Sequence, residues 1–274
     1  MTSSTISNGV QHVQSGGAEV AFRVDGQGPG LVLLHSAGSD SAACWDHMIG
    51  QFTDDWTVVR PDLAGSGGTV DGGGALSLKT MAAQVVAAAR AAGVEKFDLV
   101  GHSLGAQVAI QVAAEYPEAV KSMVLASAWP THDDCRLRVM NQATLGLVES
   151  DRRAMATLLL LMSTSPAFVA KIGDAGVAQF VENILSSTNW EGMKRQIELN
   201  CVSDVREQAK SIDKPVLAIG GSQDTVIPPA LTREVAGLIP NAQYKEITSG
   251  HMLIFEQPGP FVGLCRGFLR DGLV

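Results

Sequence analysis

The stretch KFDLVGHSLGAQVAIQVAAEY, residues 96–116, contains the features that decide the fold. Its first part is a short apolar run typical of a buried strand, and from Leu104 onward it has the pattern of a helix. Ser103 therefore falls on a tight turn between a strand and a helix, inside the pentapeptide GHSLG. Such a turn strains the serine backbone, and the small residues Gly101 and Gly105 leave room for it. Because a chain with 29 glycines can contain G-x-S-x-G by chance, the surroundings of the pentapeptide must carry the argument.

The rest of the chain continues this alternation of strands and helices. Further apolar runs occur at residues 31–35, 56–63, 122–128, 215–221 and 242–248. Strands that alternate with helices are typical of an α/β fold with a doubly wound, mostly parallel sheet. The pattern VQHVQSGGAEVAFRV near the N-terminus predicts an additional antiparallel hairpin at the sheet edge.

Residues 131–211 interrupt this alternation, because they contain only amphipathic helical pieces and no strand-like run. We therefore predict a core of residues 1–130 and 212–274, with residues 131–211 inserted as a helical lid, or cap. Such a lid would cover the carboxyl edge of the sheet, where open α/β sheets bind their ligands. A helical layer that only packs against the core is the alternative.

Composition and charge narrow the class of partner. The net charge of −8 argues against binding to nucleic acid or to an anionic membrane surface, so we expect a small-molecule substrate. The four cysteines lack the spacing of a zinc site or a disulfide framework, and we expect neither a metal nor a cofactor. The N-terminal residues resemble no leader peptide and no apolar run is long enough for a membrane span, which predicts a cytoplasmic protein. The sequence does not determine the oligomeric state, and a homo-oligomer is compatible with it.

A serine hydroxyl needs a base to become a nucleophile, and the positions of the histidines favour His251. Of the six histidines, His251 stands in TSGHMLIFEQP, directly after the last predicted strand. Asp224, in GGSQDTVIPP, follows another strand and is suited to orient that base. The order Ser103, Asp224, His251 is one of the known chain orders of a catalytic triad. Taken alone, Asp224 is equally compatible with a turn or a helix cap.

Five segments together resemble the α/β-hydrolase superfamily, in particular its lidded branch with 3-oxoadipate enol-lactonases, cofactor-free haloperoxidase/esterases and C–C bond hydrolases. The resemblance runs from about residue 10 to residue 271, and its segments are LVLLHSAGSDSAACWDHM, VVRPDLAGSG, VGHSLGAQVAI, AIGGSQDTVIPP and TSGHMLIFEQP. It implies that Ser103 is the nucleophile, Asp224 the acid and His251 the base. It also implies an oxyanion hole formed by the backbone N–H groups of Leu104 and Ala37.

One position departs from the family pattern. The family usually has His-Gly after the first long strand, whereas this chain has His35-Ser36. If Ser36 needs a backbone conformation that favours glycine, the loop with Ala37 is displaced. Alternatively, the Ser36 hydroxyl itself contacts the substrate.

The expected activity is that of a serine hydrolase that cleaves a small ester, lactone or thioester through an acyl-enzyme. The alternatives are a C–C hydrolase, a lyase or a cyclase or acyl-transfer enzyme on the same scaffold, and a ligand-binding receptor that has retained the triad. Dehalogenase and epoxide hydrolase chemistry are disfavoured, because residue 103 is a serine and the only tyrosines, Tyr116 and Tyr244, lie outside the lid.

The candidate substrate contacts besides Ser36 are large side chains near the predicted site. Met155 and Met162 lie in the apolar lid piece MATLLLLM, and Trp129 directly follows a predicted strand. Methionine and tryptophan side chains suit an apolar pocket. The alternative for each of the three is a plain packing role in the core.

Overall fold

One sheet of eight strands organises residues 9–272, the part of the chain that the computed structural model describes. Its order is β1-β2-β4-β3-β5-β6-β7-β8. The strands are β1 (Gln11–Ser15), β2 (Ala18–Gly26), β3 (Gly30–Leu34), β4 (Thr57–Pro61), β5 (Phe97–His102), β6 (Val120–Ala126), β7 (Val216–Gly221) and β8 (Ala242–Ile247). Residues 1–8 and 273–274 lie outside the described residues. Most of the N-terminal segment, which the sequence analysis compared with leader peptides, is therefore not described.

The pairing confirms the predicted α/β fold. Strands β3 to β8 pair in parallel throughout, whereas β1 and β2 form the antiparallel edge. The turn between β1 and β2 has Gly16 and Gly17 with φ of 59° and 79°, a conformation that glycine adopts without strain. The N-terminal hairpin therefore follows from its SGG sequence.

Helices cover both faces of the sheet, which explains why the parallel strands are apolar nearly throughout. The helices are α1 (Ser41–Trp45), α2 (Gly50–Thr53), α3 (Leu78–Ala91), α4 (Leu104–Glu115), α5 (Cys135–Ser150), α6 (Arg152–Ser163), α7 (Pro166–Ser187), α8 (Trp190–Asn200), α9 (Arg206–Ser211), α10 (Pro229–Leu238), α11 (Leu253–Glu256) and α12 (Pro258–Asp271). One apolar core lies under α3, α4, α9 and α10, and the other under α1, α2, α11 and α12. None of the helices in residues 9–272 is both long and apolar enough to cross a bilayer.

Between β6 and β7 the chain forms only α5 to α9, which we call the inserted helices. Four of them begin at a polar residue whose side chain accepts a hydrogen bond from a backbone N–H in the first turn: Asp134, Asp151, Ser165 and Asn189. They also share a small apolar cluster of their own, which includes Val148, Met155, Trp190, Met193 and Ile197. The division of the chain into a core and a lid stays a prediction.

Candidate active site

Ser103 occupies the turn between β5 and α4 in a conformation that is unusual for a serine. Its φ of 56° and ψ of −117° lie outside the regions that side chains favour. A Cβ on Gly101 would lie 2.7 Å from the nitrogen of Ala106, and one on Gly105 would lie 2.8 Å from the carbonyl oxygen of His35. Both glycines are therefore required by close backbone contacts, as the sequence predicts.

The three predicted triad residues lie together in one chain of hydrogen bonds. Nε2 of His251 is 3.0 Å from Oγ of Ser103, and Nδ1 of His251 is 2.8 Å from Oδ2 of Asp224. Ser103 caps α4 without a side-chain hydrogen bond to the helix, so its hydroxyl is left for the histidine. All three residues are buried, which protects these bonds from competition by water.

Asp224 receives further hydrogen bonds that fix its orientation. Its Oδ1 accepts from the backbone N–H groups of Val226 (2.9 Å) and Ile227 (2.8 Å). Its Oδ2 also accepts a hydrogen bond of 2.9 Å from Oγ of Ser127. Both oxygens of Asp224 thus have protein hydrogen-bond partners, and this arrangement fixes the carboxylate beside the imidazole of His251.

Ser127 was missed by the sequence analysis. It directly follows β6, is fully buried, and has a positive φ of 50°. Within residues 9–272, Ser103 is the only other non-glycine residue with a positive φ. The signal that was available is its position, because Ser127 ends a strand at the same sheet edge as Ser103 and Asp224.

His102 contacts His251, the predicted base. Its Nε2 donates a hydrogen bond of 2.9 Å to the carbonyl oxygen of His251, and the two ring centres are 5.1 Å apart. Burial, reinforced by the nearby His251, lowers the pKa of His102 to about 3. The imidazole of His102 is therefore neutral near pH 7 and adds no charge to the site.

The two predicted oxyanion donors are the backbone N–H groups of Leu104 and Ala37. Neither the N–H of Leu104 nor that of Ala37 is paired with an acceptor within residues 9–272. Leu104 opens α4, so the helix dipole adds positive potential at this point. Both groups are thus available to a negatively charged oxygen beside Ser103.

Ser36 does not need the left-handed conformation that favours glycine. It is absent from the positive-φ residues of the described chain, and Gly38, with φ of 70°, makes the turn instead. His35 supports this loop, because its Nδ1 lies 2.8 Å from the Ser36 carbonyl oxygen and its Nε2 accepts the Leu63 N–H at 2.9 Å. Burial lowers the pKa of His35 and keeps it neutral for both bonds.

A cavity of about 430 Å³ lies above Ser103 and His251, between the sheet edge and the inserted helices. Its wall is mainly apolar and includes Met140, Met155, Leu159, Met162, Phe168, Phe180, Ile184, Met193, Ile197, Val226, Met252 and Phe255. The predicted contacts Ser36, Met155 and Met162 line it, as does Ala37. No lysine or arginine belongs to its lining in the part of the chain that the structure describes.

Trp129 requires a correction. The sequence analysis places it at the substrate, but its ring is buried in a separate apolar cluster with Leu137 and Ile227 and does not line the cavity. Its backbone carbonyl accepts a hydrogen bond from Gln107. The indole is used for packing between β6, α5 and the loop after Asp224.

Two side chains, the buried Gln196 and the partly buried Glu256, connect the inserted helices to the loops of the site. Gln196 on α8 accepts the Gly38 N–H through Oε1 at 2.9 Å and donates through Nε2 to the Ala64 carbonyl oxygen at 2.9 Å and to Ser66 Oγ at 2.8 Å. Glu256 accepts through Oε1 from the N–H groups of Gly250 (2.9 Å) and Ser165 (3.1 Å). The first anchor holds the loop of Ala37, and the second holds the loop of His251.

No group of three or more His, Cys, Asp or Glu side chains within residues 9–272 is arranged to hold a metal ion. The cavity therefore presents a serine, an imidazole and backbone N–H groups as its reactive elements. This set is suited to nucleophilic attack on a carbonyl group.

Comparison with known proteins identifies the family of this chain. Residues 31–264 match the model of the alpha/beta hydrolase family. The chain belongs to the alpha/beta hydrolase family. A relative from Xenorhabdus hominickii named pyrrolizixenacetamide deacetylase is 46% identical to this hydrolase over 257 residues, 94% of this chain and 97% of that protein.

Solved structures of hydrolases share the fold over nearly the whole chain. A hydrolase from Pseudomonas aeruginosa PA01 has a TM-score of 0.85 at 25% identity and covers 96% of this chain and 99% of its own. An enol-lactonase from Burkholderia xenovorans LB400 also has a TM-score of 0.85, at 21% identity, with coverage of 95% and 100%. The second likeness concerns the fold alone.

Proposed function

We propose that this hydrolase is a serine hydrolase that cleaves an acyl compound through an acyl-enzyme on Ser103. The observation that carries the proposal is the continuous line of hydrogen bonds from Ser103 Oγ through His251 to Asp224 at the base of an apolar cavity. The N–H groups of Leu104 and Ala37, which no acceptor in residues 9–272 engages, support the same reaction, because acyl transfer develops negative charge on a carbonyl oxygen.

Acylation begins when Nε2 of His251 takes the proton of Ser103 and Oγ bonds to the substrate carbonyl carbon. The oxyanion of the tetrahedral intermediate accepts hydrogen bonds from the N–H groups of Leu104 and Ala37. When the intermediate collapses, the bond to the leaving group breaks and His251 gives its proton to the leaving oxygen, sulfur or nitrogen. Asp224 stabilises the imidazolium between these two proton transfers.

Deacylation repeats the same steps with water. A water molecule gives a proton to His251 while its oxygen bonds to the acyl carbon. The bond to Ser103 Oγ then breaks, the proton returns to Oγ, and a carboxylic acid is released. We further propose that residues 131–211 act as the lid that keeps bulk water out during the first step.

The substrate class that the cavity supports is a small, largely apolar acyl ester, lactone or thioester, in line with its lining of Met, Phe and Leu side chains. An N-acetyl amide is a second candidate, favoured by the deacetylase relative at 46% identity. In both cases an acyl-Ser103 forms, and only the leaving atom differs.

Labelling with a fluorophosphonate followed by mass spectrometry tests the nucleophile. We expect one adduct on Ser103 of the wild type, no adduct on Ser103→Ala, and very slow labelling of His251→Ala. Ser122→Ala is the matched control, because Ser122 hydrogen-bonds to an aspartate away from the cavity and should not affect labelling. An adduct that persists in Ser103→Ala would refute the assignment.

Turnover of 4-nitrophenyl acetate and 4-nitroacetanilide then separates ester from amide hydrolysis. Both should depend on Ser103, with kcat lowered by roughly 10⁴-fold or more in Ser103→Ala. If neither compound acylates the folded wild type, the lyase, cyclase or C–C hydrolase alternatives are favoured. If ligands bind and none is converted, the receptor alternative is favoured.

A further inference from the structure

Most polar side chains at the cavity wall already have hydrogen-bond partners within the protein. The Thr144 hydroxyl donates to the Asn141 carbonyl oxygen, the Ser187 hydroxyl donates to the Asn183 carbonyl oxygen, and Asp40 accepts the Ala43 N–H. These groups are satisfied without a ligand. They therefore give little information about the substrate.

Two carboxamides in the same wall differ from these groups. Asn141 on α5 is only 9% exposed, lines the cavity, and has no side-chain partner within residues 9–272. Asn200, the last residue of α8, also lines the cavity, and its Oδ1 is shielded from solvent and has no hydrogen-bond partner in the described part of the chain. Since α5 packs against α8, the two residues lie on neighbouring helices of one wall.

Gln196 provides the contrast, because it is a buried carboxamide on α8 whose function is structural. Both of its polar atoms are bonded, to Gly38, Ala64 and Ser66. A buried polar group without a partner is costly and rare in folded proteins. What distinguishes Asn141 and Asn200 from other buried polar groups without a partner in residues 9–272, such as Gln84 and Gln107, is that they line the cavity, where a ligand would complete their hydrogen bonds.

We propose that Asn141 and Asn200 bind an amide group of the substrate, separate from the acyl group that Ser103 attacks. A carboxamide offers both an acceptor and donors, and a secondary amide offers one of each, so two carboxamides complement it. The cavity lining has no lysine or arginine within the described chain and includes the Asp40 carboxylate, which disfavours a carboxylate ligand. This assignment of a substrate class rests on the proposed acyl hydrolysis.

The test uses two activated esters with acyl chains of equal length. One is 4-nitrophenyl 5-acetamidopentanoate, whose acyl chain contains an amide. The other is 4-nitrophenyl octanoate, whose acyl chain beyond the carbonyl is purely hydrocarbon. Each is assayed with the wild type, Asn141→Leu and Asn200→Leu. Gln142→Leu is the matched control, because Gln142 is an exposed carboxamide next to Asn141 on the same helix.

We expect Asn141→Leu and Asn200→Leu to lower kcat/KM for the amide ester by about tenfold, mainly through KM, because each loses hydrogen bonds to the substrate. The octanoate should change by less than about twofold in both variants, since apolar contacts remain. Gln142→Leu should alter neither substrate. An equal effect on both esters, or no effect on either, would overturn the proposal.

Binding measurements keep this test separate from the proposed chemistry. Ser103→Ala is titrated by calorimetry with N-butylacetamide, which carries the amide and has no ester. Binding that is lost in Ser103→Ala/Asn141→Leu supports the amide site even if the wild type hydrolyses neither ester. Absence of binding to Ser103→Ala, or binding that Asn141→Leu does not weaken, overturns it.

Discussion

At the scale of single residues, Ser127 shows how much of the site lies outside the three triad side chains. It shares Oδ2 of Asp224 with His251, from a buried position with positive φ. A residue held in such a backbone conformation is retained only where its surroundings fix it. We regard Ser127 as a positioning residue for Asp224.

We predict that Ser127→Ala lowers kcat for 4-nitrophenyl acetate by about tenfold and leaves KM nearly unchanged, because the lost hydrogen bond orients Asp224 rather than substrate. Steady-state kinetics across pH 5–9 would check this, because a change in the pH profile reports on the Asp224–His251 pair. Ser122→Ala is the matched control. It removes a hydrogen bond between Ser122 on β6 and Asp98 on β5, and it should leave the kinetics unchanged. Equal losses in both variants would indicate a general effect on β6.

The positions of Ser103, Asp224 and His251 were predictable because each lies within four residues of the end of a strand, and parallel strands bring their carboxyl ends together. Trp129 satisfies the same rule, yet its ring is directed into a packing cluster. A strand end fixes where the backbone lies but not the direction of the side chain. Ser127 was missed for a related reason, since a small polar residue at a strand end is common in loops.

At the scale of elements, α4 is placed by close backbone contact with β3. A Cβ on Gly105 would lie 2.8 Å from the His35 carbonyl oxygen and closer still to that of Leu34. The helix therefore begins where β3 ends, and this brings Leu104 towards the loop of Ala37. The oxyanion donors depend on this approach.

We predict that Gly105→Ala lowers the free energy of unfolding by about 3 kcal/mol or more, because backbone atoms must separate to admit the methyl group. Activity per folded molecule should also fall. Gly146→Ala is the control, since a Cβ at that position on α5 meets no atom within 4 Å. It should stabilise the protein by about 0.5–1 kcal/mol, and urea denaturation of both variants would decide.

The sequence contains local start signals for several of the helices. The helix α10 begins with prolines and α5, α6, α7 and α8 begin with polar capping residues. The bend in α7 at Gly173, with φ of 61°, was not predicted. A single glycine within a helical pattern is compatible with a straight helix, so only the three-dimensional contacts decide.

At the scale of the whole molecule, two buried neutral histidines connect stability to pH. The pKa of His102 is lowered to about 3, and that of His35 is also lowered by burial. An unfolded histidine takes up a proton near pH 6.5. Below that pH the unfolded chain binds more protons than the folded one, so acid favours unfolding, and the stability returns as the pH rises above 6.5.

We predict that the free energy of unfolding falls by about 2 kcal/mol when the pH is lowered from 7 to 5, solely because His102 takes up a proton in the unfolded chain and not in the folded one. Urea denaturation of the wild type and of His102→Gln at the two pH values would test this. The variant should be less sensitive to the change of pH, because its residue 102 takes up no proton on unfolding. An identical loss in both proteins would show that other groups cause the acid sensitivity.

The individual contacts between the inserted helices and the loops of the site are the part of the molecule that no local pattern predicts. The bond between Gln196 and Gly38 joins residues 158 positions apart in the chain. Glu256 and Ser165 are separated by 91 positions. Pairings at such separation depend on the complete fold, so the sequence predicted a helical segment without its contacts.

These two anchors have a consequence for recombination between hydrolases of this family. A chimaera that takes α5 to α9 from another member must also supply an acceptor for the Gly38 N–H, which bonds to Gln196, and donors for the Glu256 carboxylate, which also accepts the Gly250 N–H. Without the counterpart of Gln196 the Gly38 N–H is left unpaired, and without Ser165 the Glu256 carboxylate loses two donors. Crossover points that respect only the helix boundaries would thus exchange one wall of the cavity and at the same time loosen the loops of Ala37 and His251.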